Sequence, residues 1–228
     1  MRHRFALLFL TLLVFFLTVP LVHEVREALY PGTPPVLEGL LFIGVLAGVI
    51  ISLGTSPASK MITLGLGIPA TLFIVLHFFG QSALLTAVRH LCAMVFLGYA
   101  IITTLRYIMA SQRVTANTVF ASLCIYMLLG LLWGLGYSII DHLNPAAFRS
   151  SVPADESAFL LRIGSGGSTA VLYFSFATLT TLGYGDIVPV SPLARAFASL
   201  EAIVGQLYLA VLVVRLVGLH ITESLEKK

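Results

Sequence analysis

Charge is what this chain has least of. Asp, Glu, Lys and Arg make up 10% of its 228 residues, while apolar residues reach 58%. Ordinary soluble domains carry roughly 25% charged residues. The mean hydropathy is +1.01. A chain so poor in charge cannot cover itself with polar surface, so lipid is its expected solvent. Cysteine is nearly absent as well. Cys92 and Cys124 both fall inside apolar segments, which leaves no extracellular disulfide to a monomer and no Cys/His spacing for zinc. No cofactor is expected. The net charge of +3 is too small to argue for a nucleic-acid partner.

What is present is apolar sequence in long runs. A span needs about 20 mostly apolar residues, and six stretches qualify, at 5–22, 36–53, 61–80, 83–106, 117–140 and 193–219. A further apolar piece at 168–180 is too short to cross and precedes the last span. The predicted fold is an all-α membrane protein with six transmembrane helices. The first segment follows Met-Arg-His-Arg, as a secretory signal would, but its apolar core exceeds the usual length of about 7–15 residues and no Ala-x-Ala-like site follows. A retained helix is expected, followed by a polar loop from His23 to Pro35 that Pro31, Pro34 and Pro35 keep from being helical. Gly44 and Gly48 have the spacing of a close helix contact. Gly80, Gln81 and Ser82 alone separate the third and fourth segments, which predicts an antiparallel hairpin.

Basic residues set the expected orientation. With the N-terminus in the cytoplasm, Arg2, Arg4, Lys60, Arg106, Arg113, Arg215, Lys227 and Lys228 lie inside, and only Arg26, Arg149, Arg162 and Arg195 lie outside. In the fourth segment Arg89 is followed at the third positions by Cys92, Val95 and Gly98, where a voltage sensor would repeat Arg or Lys. Moving one charge through 100 mV yields only about 2.3 kcal/mol, so steep voltage gating is not expected. Arg89 is expected to snorkel to the outer headgroups, and His77 and His90 to pack. Tyr107–Ala116 is predicted to lie along the inner surface. Trp133 and Tyr137 suit the outer aromatic belt, and Gly130, Gly134 and Gly136 permit close approach of another helix. Asp141–Gly167 reads as an extracellular loop. Its Gly164-x-Gly-Gly lacks the following Lys of a phosphate loop.

The stretch Thr178-Leu-Thr-Thr-Leu-Gly-Tyr-Gly-Asp186 follows the short apolar piece. Irregular backbone at membrane depth must be buried in protein or line a water-filled cavity. Glycines accept positive φ cheaply, so alternating them lets successive carbonyls face one way. A column of oxygens of that kind can replace the water shell of a cation, with the Thr181 hydroxyl adding one more and Tyr184 turned away as a brace. A helix ending near Thr180 also turns its negative dipole end inward.

Thr180-Thr-Leu-Gly-Tyr-Gly-Asp186 resembles the signature of potassium channels, a filter that selects ions by its backbone carbonyls. The resemblance covers roughly residues 115–220. It implies ion sites from Thr181, Leu182, Gly183, Tyr184 and Gly185; Thr178, Thr180, Asp186 and Glu201 are the candidate supports of that loop. It also implies a homotetramer, since one chain supplies one loop of four, with potassium as the permeant ion. Leu182 stands where Val or Ile is usual, Ala177 where prokaryotic relatives often have Glu, and Tyr173-Phe174 where a Trp pair is common. Ser191-Pro192 has the form of an N-cap with proline in the first turn. Gly205, 19 residues after Asp186, has the spacing of the family's inner-helix hinge, with simple packing as the alternative. Gln206, Leu209, Val213 and Val217 recur below it at helical spacing as pore-lining candidates. Glu201 is the one acid deep inside a span. It is expected either to brace the short helix through Ser175, Thr178 or nearby backbone, or to reach the outer vestibule. Arg215 is expected to snorkel.

The expected organisation is a four-helix membrane domain at 1–110 and a pore module at 111–228. The expected function is passive potassium-selective conduction, with a weakly selective cation channel or a multi-pass transporter as alternatives. An enzyme is not expected, because no nucleophile–base or metal-ligand constellation stands out. A transporter would usually carry inverted repeats, and none is evident. The expected location is the plasma membrane, the prokaryotic inner membrane, with both termini cytoplasmic. A short stretch, Ile221–Lys228, follows the last helix, which leaves any regulatory domain to a separate subunit.

Overall fold

The computed structural model describes residues 4–30, 33, 36–54, 57–79, 83–150 and 168–226. The proline-rich turn, the Gly80–Ser82 turn, the Gly164–Gly167 motif and the charged residues Arg2, Asp155, Glu156, Arg162, Lys227 and Lys228 lie outside them, as does the side chain of His77. Six of the helices are long and apolar enough to cross a membrane. They are α1 (Arg4–Leu29), α2 (Val36–Leu53), α3 (Pro57–Phe79), α4 (Ala83–Ala110), α5 (Ala116–Leu143) and α7 (Pro192–Glu226). Between the last two lies α6 (Ser168–Leu179), 12 residues and so about 18 Å long. This is a multi-pass membrane protein.

Several boundaries differ from the sequence reading for physical reasons. α1 does not stop at Val22 but runs through His23 to Leu29. The His-Glu-Val-Arg-Glu-Ala-Leu stretch contains good helix formers, and its end is pinned across the turn to α2. Arg26 Nε donates to Glu38 Oε1 at 3.0 Å, and His23 Nδ1 lies 3.1 Å from the same oxygen. Tyr107–Ala110 is the last turn of α4 rather than a surface stretch, and five residues join it to α5. Thr115 caps α5, its hydroxyl accepting from the Thr118 amide while the Thr118 hydroxyl accepts from the Thr115 amide.

The fold is not purely helical. Phe148–Ser150 (β1) pairs antiparallel with Ile187–Pro189 (β2), with Arg149 opposite Val188. Strands of three residues leave no periodic signal, which is why the sequence reading had only loop there. The ribbon ties the chain after α5 to the chain before α7, and the Ala147 carbonyl adds bonds from the Val190 and Ser191 amides.

Two apolar clusters hold the helices. The larger joins α1, α2, α3, α4, α5 and the end of α6, with Phe5, Leu8, Leu12, Leu46, Ile74, Phe96, Leu97, Cys124, Leu128 and Leu179 buried in it. α1 is therefore a packed member of the bundle. Gly48 is where it meets α2, since a Cβ there would lie 2.8 Å from Thr11 Oγ1, whereas Gly44 has open space around it. The smaller cluster gathers Tyr137, Phe148, Phe174 and Ile187 beside the ribbon. Tyr137 is fully buried there, so it is not a belt residue. Trp133 meets Phe197 edge-on at 5.7 Å.

Candidate ion-conduction site

The short helix α6 is seated on α5 by small residues. A Cβ at Gly130 would meet the Phe176 ring at 2.6 Å, and one at Gly134 would meet Leu172 at 3.1 Å. On its other side Gly205 of α7 approaches so closely that a Cβ would lie 2.5 Å from the Leu179 carbonyl oxygen. α7 runs as one helix through that point, so Gly205 makes a tight packing contact in this structure. Ser191 Oγ accepts from the Ala194 amide at 3.2 Å, which caps the start of α7 before Pro192.

The loop Thr181–Gly185 leaves the C-terminal end of α6 and is exposed throughout. Its backbone alternates in sign. φ is +59° at Thr181, +53° at Gly183 and +77° at Gly185. Thr181 is the sole non-glycine residue with positive φ among the described residues. A β-branched residue is costly in that region, and nothing in the sequence marked it. A strand with uniformly negative φ turns successive carbonyls to opposite faces. Inverting φ at every second residue removes that alternation. The loop's start is fixed by amides donating back to α6, Thr181 to the Thr178 carbonyl at 3.0 Å and Gly183 to the Ala177 carbonyl at 3.2 Å. The Thr180 hydroxyl donates to Phe176 O, and the Thr181 hydroxyl donates to Thr180 O at 2.6 Å, which leaves the lone pairs of Thr181 Oγ1 available.

The loop's far end is also held. Asp186 Oδ2 accepts from the Tyr173 hydroxyl at 2.6 Å, and Oδ1 accepts from the Ile187 amide. Tyr173 thus links α6 to the exit of the loop. Phe174 turns the other way, edge-on to Tyr137 at 5.0 Å and to Phe148 at 5.3 Å. Tyr184 is 70% exposed and Leu182 53% in the single chain.

Glu201 is fully buried and does not reach a vestibule. It meets Ser175 of α6 and Tyr137 of α5, with Oε1 2.5 Å from Ser175 Oγ and Oε2 accepting from the Tyr137 hydroxyl at 2.6 Å. The sequence reading named Ser175 and missed Tyr137. The signal was available, because a tyrosine in an apolar helix needs a partner for its hydroxyl. It also missed Tyr126, whose hydroxyl donates to Leu179 O at 3.1 Å at the end of α6.

Gln206, Leu209, Val213 and Val217 are exposed along α7 and do not gather with the loop. Leu207, Val211 and Val214 are exposed too, so the helix presents apolar surface on several faces. Arg215 does not simply extend to lipid. Its Nη2, with two N–H groups, lies within hydrogen-bond reach of the carbonyls of Ile108 at 3.0 Å, Met109, and Ser111 at 3.0 Å, closing the C-terminal end of α4. Arg89 is half-buried, with Nη2 3.3 Å from His90 Nε2.

Residues 160–219 match the ion channel family. This segment is similar to an ion-channel module. It takes in α6, the alternating loop, β2 and most of α7, and 168–219 of it is described. Over 46 residues the chain is 46% identical to the inward rectifier potassium channel Kirbac3.1 of Paramagnetospirillum magnetotacticum, an overlap of 20% of this chain and 16% of that protein. Four-fifths of the chain lies outside that alignment. No solved structure matches the chain.

Proposed function

We propose that this chain is one subunit of a potassium-selective channel, with four copies placing four Thr181–Gly185 loops around one axis. The observation that carries the reading is the alternating backbone of that loop, with positive φ at Thr181, Gly183 and Gly185. Such a backbone can turn the carbonyls of Thr181, Leu182, Gly183 and Tyr184 to one side, where they replace the hydration shell of a cation. Potassium is the ion because the loop carries the potassium-channel signature and the relative it matches bears that name. Assembly is supported by exposure. The loop is irregular and open in one chain, and such backbone is tolerated at membrane depth only against protein or water. α7 supports it too, with 11% of its span buried against 56% for α5. Neighbouring chains would cover Tyr184, Leu182 and one face of α7, and a lumen would be lined by Gln206, Leu209, Val213 and Val217.

In this reading α6 is a re-entrant helix that dips from the outer side, and both termini are cytoplasmic. Residues 1–110 form a four-helix domain beside the pore module, without the charges of a voltage sensor, in the plasma membrane of a prokaryote. Conduction is passive, each ion displacing the next, and no enzymatic step is involved. The test is reconstitution into liposomes with imposed ion gradients. Potassium gradients should shift the reversal potential and sodium gradients should not. Equal shifts for the two ions would refute selectivity, and no conductance from a purified tetramer would refute the channel.

A further inference from the structure

Where α5, α6 and α7 meet behind the loop, the oxygens outnumber the protons that an ionised Glu201 would leave. Tyr137 has one hydroxyl proton and gives it to Glu201 Oε2 at 2.6 Å. Ser175 Oγ also has one proton, yet it has two oxygen neighbours, Glu201 Oε1 at 2.5 Å and the Gly130 carbonyl at 2.8 Å. A carboxylate and a carbonyl can only accept. With Glu201 ionised, Ser175 would satisfy one of them and face the other with lone pair against lone pair. Glu201, Ser175 and Tyr137 are all 0% exposed, so water does not supply the missing donor from the surface.

A proton on Glu201 Oε1 resolves the count. The carboxyl O–H donates to Ser175 Oγ, Ser175 donates to the Gly130 carbonyl, and Tyr137 donates to Oε2. Each proton then has one acceptor. The surroundings agree, since both side-chain partners of Glu201 among the described residues are neutral hydroxyls and none is a Lys, Arg or His. A buried carboxyl without a cation is far less costly as the neutral acid.

We propose that Glu201 is a neutral carboxylic acid whose proton completes a hydrogen-bonded chain from Tyr137 through Glu201 and Ser175 to Gly130, and that this chain positions α6 beneath the conduction loop. The three helices are joined through one side chain. Glu201 stands one turn before Gly205, where α7 presses on the Leu179 carbonyl. A shift of α6 would carry with it the Thr178 and Ala177 carbonyls that hold the amides of Thr181 and Gly183. Glu201 is a positioning residue, since it touches no permeant ion. Its effect on conduction rests on the channel reading, whereas its proton does not.

Infrared difference spectroscopy between the full-length protein and Glu201→Gln, at neutral pH in water and in heavy water, tests the proton directly. The wild type should contribute a protonated-carboxyl carbonyl band that shifts on deuteration and is missing from the variant. A difference confined to carboxylate bands overturns the proposal, whether or not the protein conducts. Potassium flux in liposomes tests the positioning. Gln offers an N–H to Ser175 and a carbonyl to Tyr137, with one further N–H that the acid lacks, so Glu201→Gln should keep more flux than the two alanine variants. Glu201→Ala and Ser175→Ala each break the chain and should lower flux about tenfold, the scale of one lost buried hydrogen bond. If Glu201→Ala fails to assemble, Ser175→Ala removes the same link with a smaller change in volume. Loss of flux in assembled Glu201→Gln equal to that in Ser175→Ala would overturn the positioning role.

Discussion

Replacing Gly205 by alanine separates two roles that a glycine can play in α7. The ideal Cβ at this position would sit 2.5 Å from the Leu179 carbonyl oxygen, 2.9 Å from Leu179 Cδ1 and 3.4 Å from Leu179 C. The Cδ1 can rotate away, but the carbonyl belongs to the end of α6 and already accepts from Tyr126 at 3.1 Å. Ordinary van der Waals contact begins at 3.4 Å, so α7 and α6 must part by 3.4 − 2.5 = 0.9 Å at this point. Overpacking of this kind costs about 1–3 kcal/mol. Alanine is also the better helix former by about 1 kcal/mol, so a free helix would gain stability from the same change. The expected net result is loss of stability, of about 0–2 kcal/mol per subunit. The displaced end of α6 should also reduce selectivity for potassium over sodium. The assays are the thermal midpoint of the reconstituted oligomer and the reversal-potential shift in mixed gradients. A glycine serving only as a hinge predicts a different pattern, with unchanged selectivity, equal or greater stability and altered opening alone. That pattern would refute the packing argument.

Three further outcomes follow from other contacts. Gly48→Ala should lower the thermal midpoint, because its Cβ would meet Thr11 Oγ1 at 2.8 Å, while Gly44→Ala, with nothing within 4 Å, should leave it unchanged; thermal unfolding in detergent measures both. Tyr173→Phe removes the hydroxyl that Asp186 accepts at 2.6 Å and should weaken the hold on the loop's exit. With a loss of about 1–3 kcal/mol, single-channel open time should shorten while assembly on a gel persists. Arg215→Ala should free the end of α4 from α7 at a cost of about 1–2 kcal/mol. Arg215→Lys should restore only part of it, since its ammonium keeps the charge and the donors but stops short of the place where Nη2 meets the Ile108, Met109 and Ser111 carbonyls. Hydrogen exchange at 108–115 reads that loosening.

The sequence by itself determined the features that depend on neighbouring residues. Six spans were legible because each is a continuous apolar run, and a run of that length has no other stable solvent than lipid. The signature around Gly183 and Gly185 was legible because conformational freedom of the backbone is written residue by residue. Even there the reading stopped short of Thr181, whose φ of +59° is imposed on a β-branched residue by its surroundings. The end of α1 was misjudged because its last turn is held by Glu38, 12 residues beyond Arg26. Only the tertiary structure decided which groups meet across the helices. Glu201 is 64 residues from Tyr137 and 26 from Ser175, and Arg215 is 107 from Ile108. An acid or a cation in an apolar helix announces that it needs a partner. It does not say on which helix the partner stands, because that depends on helix rotation and register, which are fixed by packing of side chains far apart in the chain. The same holds for Gly205, where spacing alone suggested a hinge and the Leu179 carbonyl at 2.5 Å from its missing Cβ supplied the packing reason.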